Sequence, residues 1–193
     1  MERLFSKLLI GFFFCGTAAA QTNLLLNPNA DDGAAHWRVS GQATVEQYDG
    51  NKVFVVRNGG SFGQDVDINS SDVGKYALFI GNGSSERINP DGAITGLPYL
   101  YGYMLHSKTH NGATINAYLQ GQLMLGSAGK PDAWILMYSI FRVPEDTIAI
   151  AFFLNQAERR NVPQNGSAAR FRNVGLYLFK TEQDAMDFAR NYQ

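Results

Sequence analysis

Between Ile115 and Met124 the side chains alternate in chemistry: Asn116, Tyr118, Gln120 and Gln122 fall on one side of an extended chain, and Ile115, Ala117, Leu119 and Leu123 on the other. A period of two belongs to a strand, so this segment buries one face and presents amides and a phenol on the opposite one. Planar amides offer paired donors and acceptors to hydroxyl groups, and an aromatic ring covers the C–H face of a pyranose. That is the chemistry for holding a polyhydroxylated ligand. An ordinary solvated sheet face shows the same alternation. Tyr101 and Tyr103, with Tyr99, alternate on the preceding segment and extend such a platform; Leu105 continues their side, which equally suits a half-buried packing stripe.

Charge concentrates in two segments, Ser84 to Asp91 and Asn155 to Asn161. If they meet, Glu86, Arg87, Asp91, Glu158, Arg159 and Arg160 form either a ligand rim, with Arg87 and Glu158 as its binding residues, or a lattice of surface ion pairs, each worth about 0–1 kcal/mol. Glu86 and Glu158 also have the composition of a glycosidase acid pair, whose identity depends on a separation that sequence does not fix. His106 and His110 have a helical metal spacing on a segment that reads as strand and loop, so they are expected as exposed loop histidines. No catalytic set, metal-ligand cluster or cofactor-binding motif is assigned.

The elements that must position these residues are short and β-rich. Strands are expected around Ala43–Tyr48, Val53–Asn58, Ser61–Ile68, Lys75–Ile80, Tyr99–His106, Thr114–Met124, Trp134–Val143, Thr147–Asn155 and Arg170–Phe179, with turns at Asp49 to Asn51 and at Gly59 and Gly60. Ile148, Ile150, Phe152 and Leu154 share one side and must face the core. The stretch from Gly81 to Pro98 is expected as a long loop, of the kind that often carries function. Only the end reads as helix: Thr181 caps a first turn carrying Glu182 and Asp184, and Ala185, Phe188, Ala189 and Tyr192 form one stripe.

Residues 1–20 carry Arg3 and Lys7, an apolar run from Leu8 to Phe14 and small residues at Ala18 to Ala20, the pattern of a secretory signal peptide cleaved after Ala20. Cleavage removes Cys15, the only cysteine, so the exported chain must be held by its core without disulfides. A formal charge of −1 supplies no electrostatic reason to bind nucleic acid or an anionic membrane, and no membrane insertion is expected once the leader is removed. The expected organisation is a signal peptide over 1–20, one β-sandwich over 21–180, and a C-terminal helix over 181–193 packed on it as a lid or edge cover.

The opening run Asn23, Asn27, Asp31, Asp32, Gly33, Trp37 and the closing run Ala169 to Phe179 resemble the first and last strands of the galactose-binding-like jelly-roll β-sandwich. That is the fold of many carbohydrate-binding modules and of the glycan-binding F-box-associated domain. Gly74 to Tyr76, Trp134 and Phe141 to Pro144 fit the middle of the same pattern. The resemblance implies an all-β jelly roll, core positions for Trp37 and Trp134, and a glycan as partner. Related modules close with an acid that joins the opening loop around a structural calcium. Here Arg172 and Asn173 follow Phe171, and an ion pair from Arg172 to Asp31 or Asp32 is expected in place of the metal. The function expected is non-catalytic binding of a glycan or similar ligand by an exported protein. The alternatives are a structural protein of the cell envelope on the same scaffold, and a small glycoside hydrolase.

Overall fold

The computed structural model describes residues 21–88, 94–110, 113–124, 132–157 and 167–192; for residues 87, 88, 94, 95, 107–110, 113–124 and 157 it describes the backbone alone. Among the described residues, ten strands and one α-helix follow in chain order: β1 Arg38–Tyr48, β2 Asn51–Asp67, β3 Tyr76–Ser85, β4 Arg87–Ile88, β5 Ile94–Thr95, β6 Leu97–His110, β7 Ala113–Met124, β8 Ile135–Arg142, β9 Thr147–Ala157, β10 Ala169–Phe179 and α1 Glu182–Arg190. All pairings between strands are antiparallel.

The sandwich is made by one strand that changes sheets. The first half of β2, Phe54 to Val56, pairs with β10, whereas its second half, Ser61 to Asp67, pairs with β9. One layer therefore runs β7, β6, β9, β2 and the other β2, β10, β3, β8, with β1 following β2 along both. The expected turn at Gly59 and Gly60 is instead the corner of this continuous strand. β1 bulges opposite it, between Ser40 and Gln42. A Cβ on Gly60 would lie 2.6 Å from the Gln42 backbone, so only glycine lets the two strands cross the corner together. The expected turn at Asp49 to Asn51 is present: Asp49 and Gly50 both have positive φ, 52° and 77°, as a two-residue hairpin requires.

The inner faces close over an aromatic core. Trp37 packs on Phe54 at 4.9 Å between ring centroids, and Phe79 of one layer stacks on Phe152 of the other at 5.5 Å. Ile150, Phe152 and Leu154 are fully buried as their alternation requires, but Ile148 is 48% exposed. It stands beside the irregularity where β6 shifts register against β9, between Leu105 and His106. That shift breaks the alternation one residue before the core begins.

The expected loop from Gly81 to Pro98 is largely strand, because β3 continues to Ser85 and β4 pairs with β5. Gly83 serves packing: a Cβ there would lie 2.7 Å from the Pro98 ring. The helix α1 begins where Thr181 Oγ1 accepts a hydrogen bond from the Asp184 amide at 3.1 Å. Its stripe of Ala185, Phe188, Ala189 and Tyr192 covers Leu78, Ile80, Tyr177 and Phe179 on the outer face of the β10, β3, β8 layer. No described helix is long and apolar enough to cross a membrane.

Candidate functional site

On the layer that α1 does not cover, register alone assembles a polar and aromatic face. Directly opposed residues of an antiparallel pair share a side of the sheet. Tyr99, Tyr101 and Tyr103 of β6 oppose Asn155, Phe153 and Ala151 of β9, which in turn oppose Ser61, Gly63 and Asp65 of β2; Arg38 of β1 opposes Gly63. All lie opposite the buried Leu100, Met104, Phe152 and Phe62.

The aromatic residues form one group. Tyr101 lies parallel to Tyr99 at 4.9 Å and to Phe153 at 5.0 Å, and Tyr103 meets Tyr101 and Phe153 edge-on. With two parallel neighbours against its ring, Tyr101 offers its edge and hydroxyl rather than a free face. That hydroxyl bonds the side chains of Asn155 and Tyr103. Burial raises the Tyr101 and Tyr99 phenols above the ordinary value. Beside Phe153, Arg38 and Asp65 form a two-pronged pair, Nη1 to Oδ2 at 2.7 Å and Nη2 to Oδ1 at 2.8 Å, with the guanidinium 5.9 Å from the Phe153 ring centre. The pair is solvent-exposed and supplies a carboxylate and guanidinium donors next to apolar ring edges.

The strand anticipated as the binding face lies next in the sheet. Tyr118, Gln120 and Gln122 occupy the register positions opposite Leu105, Tyr103 and Tyr101, and Asn116 opposes Ser107. Thus Tyr101, Tyr103, Gln120 and Gln122 are brought together, with Tyr118 and Asn116 further along the same row. Arg87 lies on β4 at the register position opposite Thr95, and Glu158 lies outside the described residues. Sequence reasoning missed Phe153, Asn155, Arg38 and Asp65. Phe153 was accessible to it as the residue out of phase with Phe152, whereas Arg38 precedes the first expected strand and reaches the face only through the β1–β2 pairing.

The loop from Asn27 to Trp37 is organised by side-chain amides. Asn27 donates to the Gly33 carbonyl at 2.9 Å and accepts from the Asp32 amide at 3.1 Å, while Asn23 Nδ2 donates to the Val174 carbonyl at 2.9 Å, tying the opening segment to β10. The expected ion pair from Arg172 to Asp31 or Asp32 does not form. Arg172 instead lies over the Trp134 ring, 4.1 Å from its centre, and Lys52 Nζ takes the Asp31 backbone carbonyl at 2.6 Å. Arg172, Lys52, Asp31, Asn29, Asn51 and Asn173 line a pocket of about 290 Å³. One carboxylate facing two cations does not fit calcium, which takes several hard oxygen ligands. Trp134 itself belongs outside the main core, half-buried over Val53 and Val55 beside Tyr48. Trp37 takes the core position expected of it.

Glu86 is held by structure. It pairs with Arg170 at 3.3 Å and accepts from the Ala168 amide at 2.8 Å; Arg170 also bonds Asp132 at 2.7 Å and lies over the Tyr48 ring. His106 is buried, contrary to expectation, with Nδ1 3.1 Å from the Glu145 carbonyl oxygen, beside the register shift between β6 and β9. The run Gly59 to Gly63 spells Gly-x-Ser-x-Gly, but Ser61 sits mid-strand opposite Ser40 and Asn155 instead of on the strand-to-helix elbow that exposes a nucleophile. Among the described residues no cluster of histidine, cysteine or acidic groups could hold a metal ion.

No protein-family model matches the chain, and the search of curated proteins finds no match. Solved structures do. A family 16 carbohydrate-binding module superposes with a TM-score of 0.56 at 18% identity, covering 80% of this chain and 99% of that one. The enzymatically active domain of tailspike protein 4 of bacteriophage CBA120 follows with a TM-score of 0.52 at 14% identity, covering 81% of this chain and 21% of that one. The CBM22-1-GH10 modules of Clostridium thermocellum endo-1,4-beta-D-xylanase 10B, complexed with xylohexaose, give 0.50 at 10% identity, covering 82% of this chain and 29% of that one. The antiparallel layers, the strand that serves both and these likenesses agree on one fold: the chain is a jelly-roll β-sandwich similar to those of carbohydrate-binding modules.

Proposed function

We propose that the chain is an exported, non-catalytic glycan-binding module whose ligand lies across the outer face of the β7, β6, β9, β2 layer. The observation that carries this is the adjacency of the Tyr99, Tyr101 and Phe153 row to the exposed Arg38–Asp65 pair. Apolar edges take sugar C–H groups, while a carboxylate and a guanidinium fixed at 2.7–2.8 Å from one another take hydroxyls as acceptor and donor. Asn116, Tyr118, Gln120 and Gln122 of the neighbouring strand complete the surface with the amides and the ring that the alternation assigns to this side. The same fold in a family 16 carbohydrate-binding module supports the reading. The commitment of Glu86 to Arg170 favours binding over hydrolysis, because a catalytic acid must be free to meet its bond.

A broad glycan array probed with the mature protein tests this. Binding above background is expected for at least one glycan, with Tyr118→Ala and Gln120→Ala each weakening it several-fold, as about 1 kcal/mol per stacking or hydrogen-bonding partner implies, and leaving the melting temperature nearly unchanged. An array with no signal would overturn the proposal and favour the envelope-scaffold alternative.

A further inference from the structure

The pocket between the opening loop, the β1–β2 hairpin and β10 has the wrong charge for the ion its position suggests, and the right one for the opposite kind. Arg172 is the central group. Its guanidinium carbon sits 4.1 Å from the Trp134 ring centre and its Nε is sealed from solvent without an acceptor. No carboxylate pairs with it among the described residues. The bulge between Arg172 and Gly175 holds Asn173 at a φ of 47°, with its Nδ2 donating to Asn82 Oδ1 at 3.2 Å, which fixes the pocket wall beside the guanidinium. Across the pocket stands Lys52, whose Nζ uses one donor on the Asp31 carbonyl and keeps two. An arginine already stacked on an aromatic ring has lost most of its rotamer freedom, so little further entropy is spent when its fork closes on an anion.

We propose that this pocket is a second binding site, separate from the glycan face, for an oxyanion: the carboxylate of an acidic sugar or a free inorganic phosphate. Arg172 supplies the fixed fork and Lys52 the second charge. Asn29 and Asn51 rim the opening, and the Asp31 carboxylate there keeps the site's net charge at one positive, which suits a singly charged group better than a highly charged one.

Trp134 makes the site report on itself, because a ligand on Arg172 changes the charge against its ring. The full chain is titrated with sodium glucuronate, with sodium phosphate and with glucose, at constant ionic strength set by sodium chloride, while tryptophan emission is followed; Trp134→Phe identifies the signal. A saturable change is expected with glucuronate or phosphate and none with glucose, and Arg172→Gln and Lys52→Gln should each weaken it about tenfold, the worth of one charged hydrogen bond. Lys52 is exposed, so Lys52→Gln keeps the test decisive should Arg172→Gln misfold. Response to glucuronate alone assigns the site to an acidic sugar, and response to phosphate as strong as to glucuronate assigns it to the free ion. Either upholds the proposal. No saturable change with either anion, a response unaltered in both variants, or saturation by calcium chloride in their place would overturn it. Tyr118→Ala and Gln120→Ala change the other face and should leave this titration unaltered, so failure of the glycan-face reading leaves this outcome untouched.

Discussion

The two outer faces of the sandwich are built from similar residues, and among the described residues only one of them is covered by a helix. On the β10, β3, β8 layer, Tyr177, Phe179, Leu78 and Ile80 are covered by α1, and next to them Val53 and Val55 are covered by Trp134 and Tyr48. Arg170 clamps that cover, joining Glu86 and Asp132 over the Tyr48 ring while itself only 7% exposed. On the other layer, Tyr99, Tyr101, Tyr103 and Phe153 cover one another and stay half-buried, with the Arg38–Asp65 pair beside them in solvent. Aromatic residues alone therefore do not mark a binding face. What separates the faces is whether another part of the chain has taken the apolar surface, and whether the charges are spent on holding it.

Adjacent residues on β9 give the sharpest way to break this contrast. Phe152→Ala removes a fully buried ring that stacks on Phe79 across the layers, and should cost about 3–5 kcal/mol in denaturant unfolding. Phe153→Ala, one residue on, should cost less than about 2 kcal/mol because its ring is half in solvent, and should weaken glycan binding instead. Equal losses of stability would show that the open face is core. Arg170→Met should cost about 2 kcal/mol by unfastening the cover, since two carboxylates lose their partner, with no change in glycan affinity. On the open side, Asp65→Asn should shift stability by less than about 1 kcal/mol, as exposed pairs do, yet reduce glycan affinity several-fold by calorimetry. The smallest effect is in acid. The hydrogen bond from Arg57 holds the Glu46 carboxyl below its ordinary range, and that from Lys75 does the same for Asp72. A depressed carboxylate pKa stabilises the fold above the unfolded value and ceases to do so as pH falls through the folded one. Melting temperatures should therefore drop below roughly pH 4, and Glu46→Gln should flatten the Glu46 share of that slope.

Where sequence reasoning succeeded, a local periodicity coincided with burial. Ile150, Phe152 and Leu154 face the core, the hairpin turn sits at Asp49 and Gly50, and Thr181 starts the helix, each from information within a few residues. Where it failed, the cause was a contact distant along the chain. Gly59 and Gly60 read as a turn because glycine pairs usually are one, but the strand runs on through them and changes layer. Ile148 lost its core place because it is the residue skipped where β9 shifts register against β6. Arg172 was paired with the nearest expected acids, whereas the segment before β8 brings Trp134 over it instead.

The sequence by itself determined the β class, most strands and the two-sided chemistry of Ile115 to Met124, because strand alternation and turn residues are encoded within a few positions. It also contained Tyr101 and Tyr103 as one row. Only the tertiary structure decided that Phe153, Arg38 and Asp65 join that row, which face α1 covers, and that Arg172 meets Lys52 and Trp134 rather than an acid. Those outcomes rest mostly on contacts between residues distant along the chain, and the register of such pairings is set by the whole core at once.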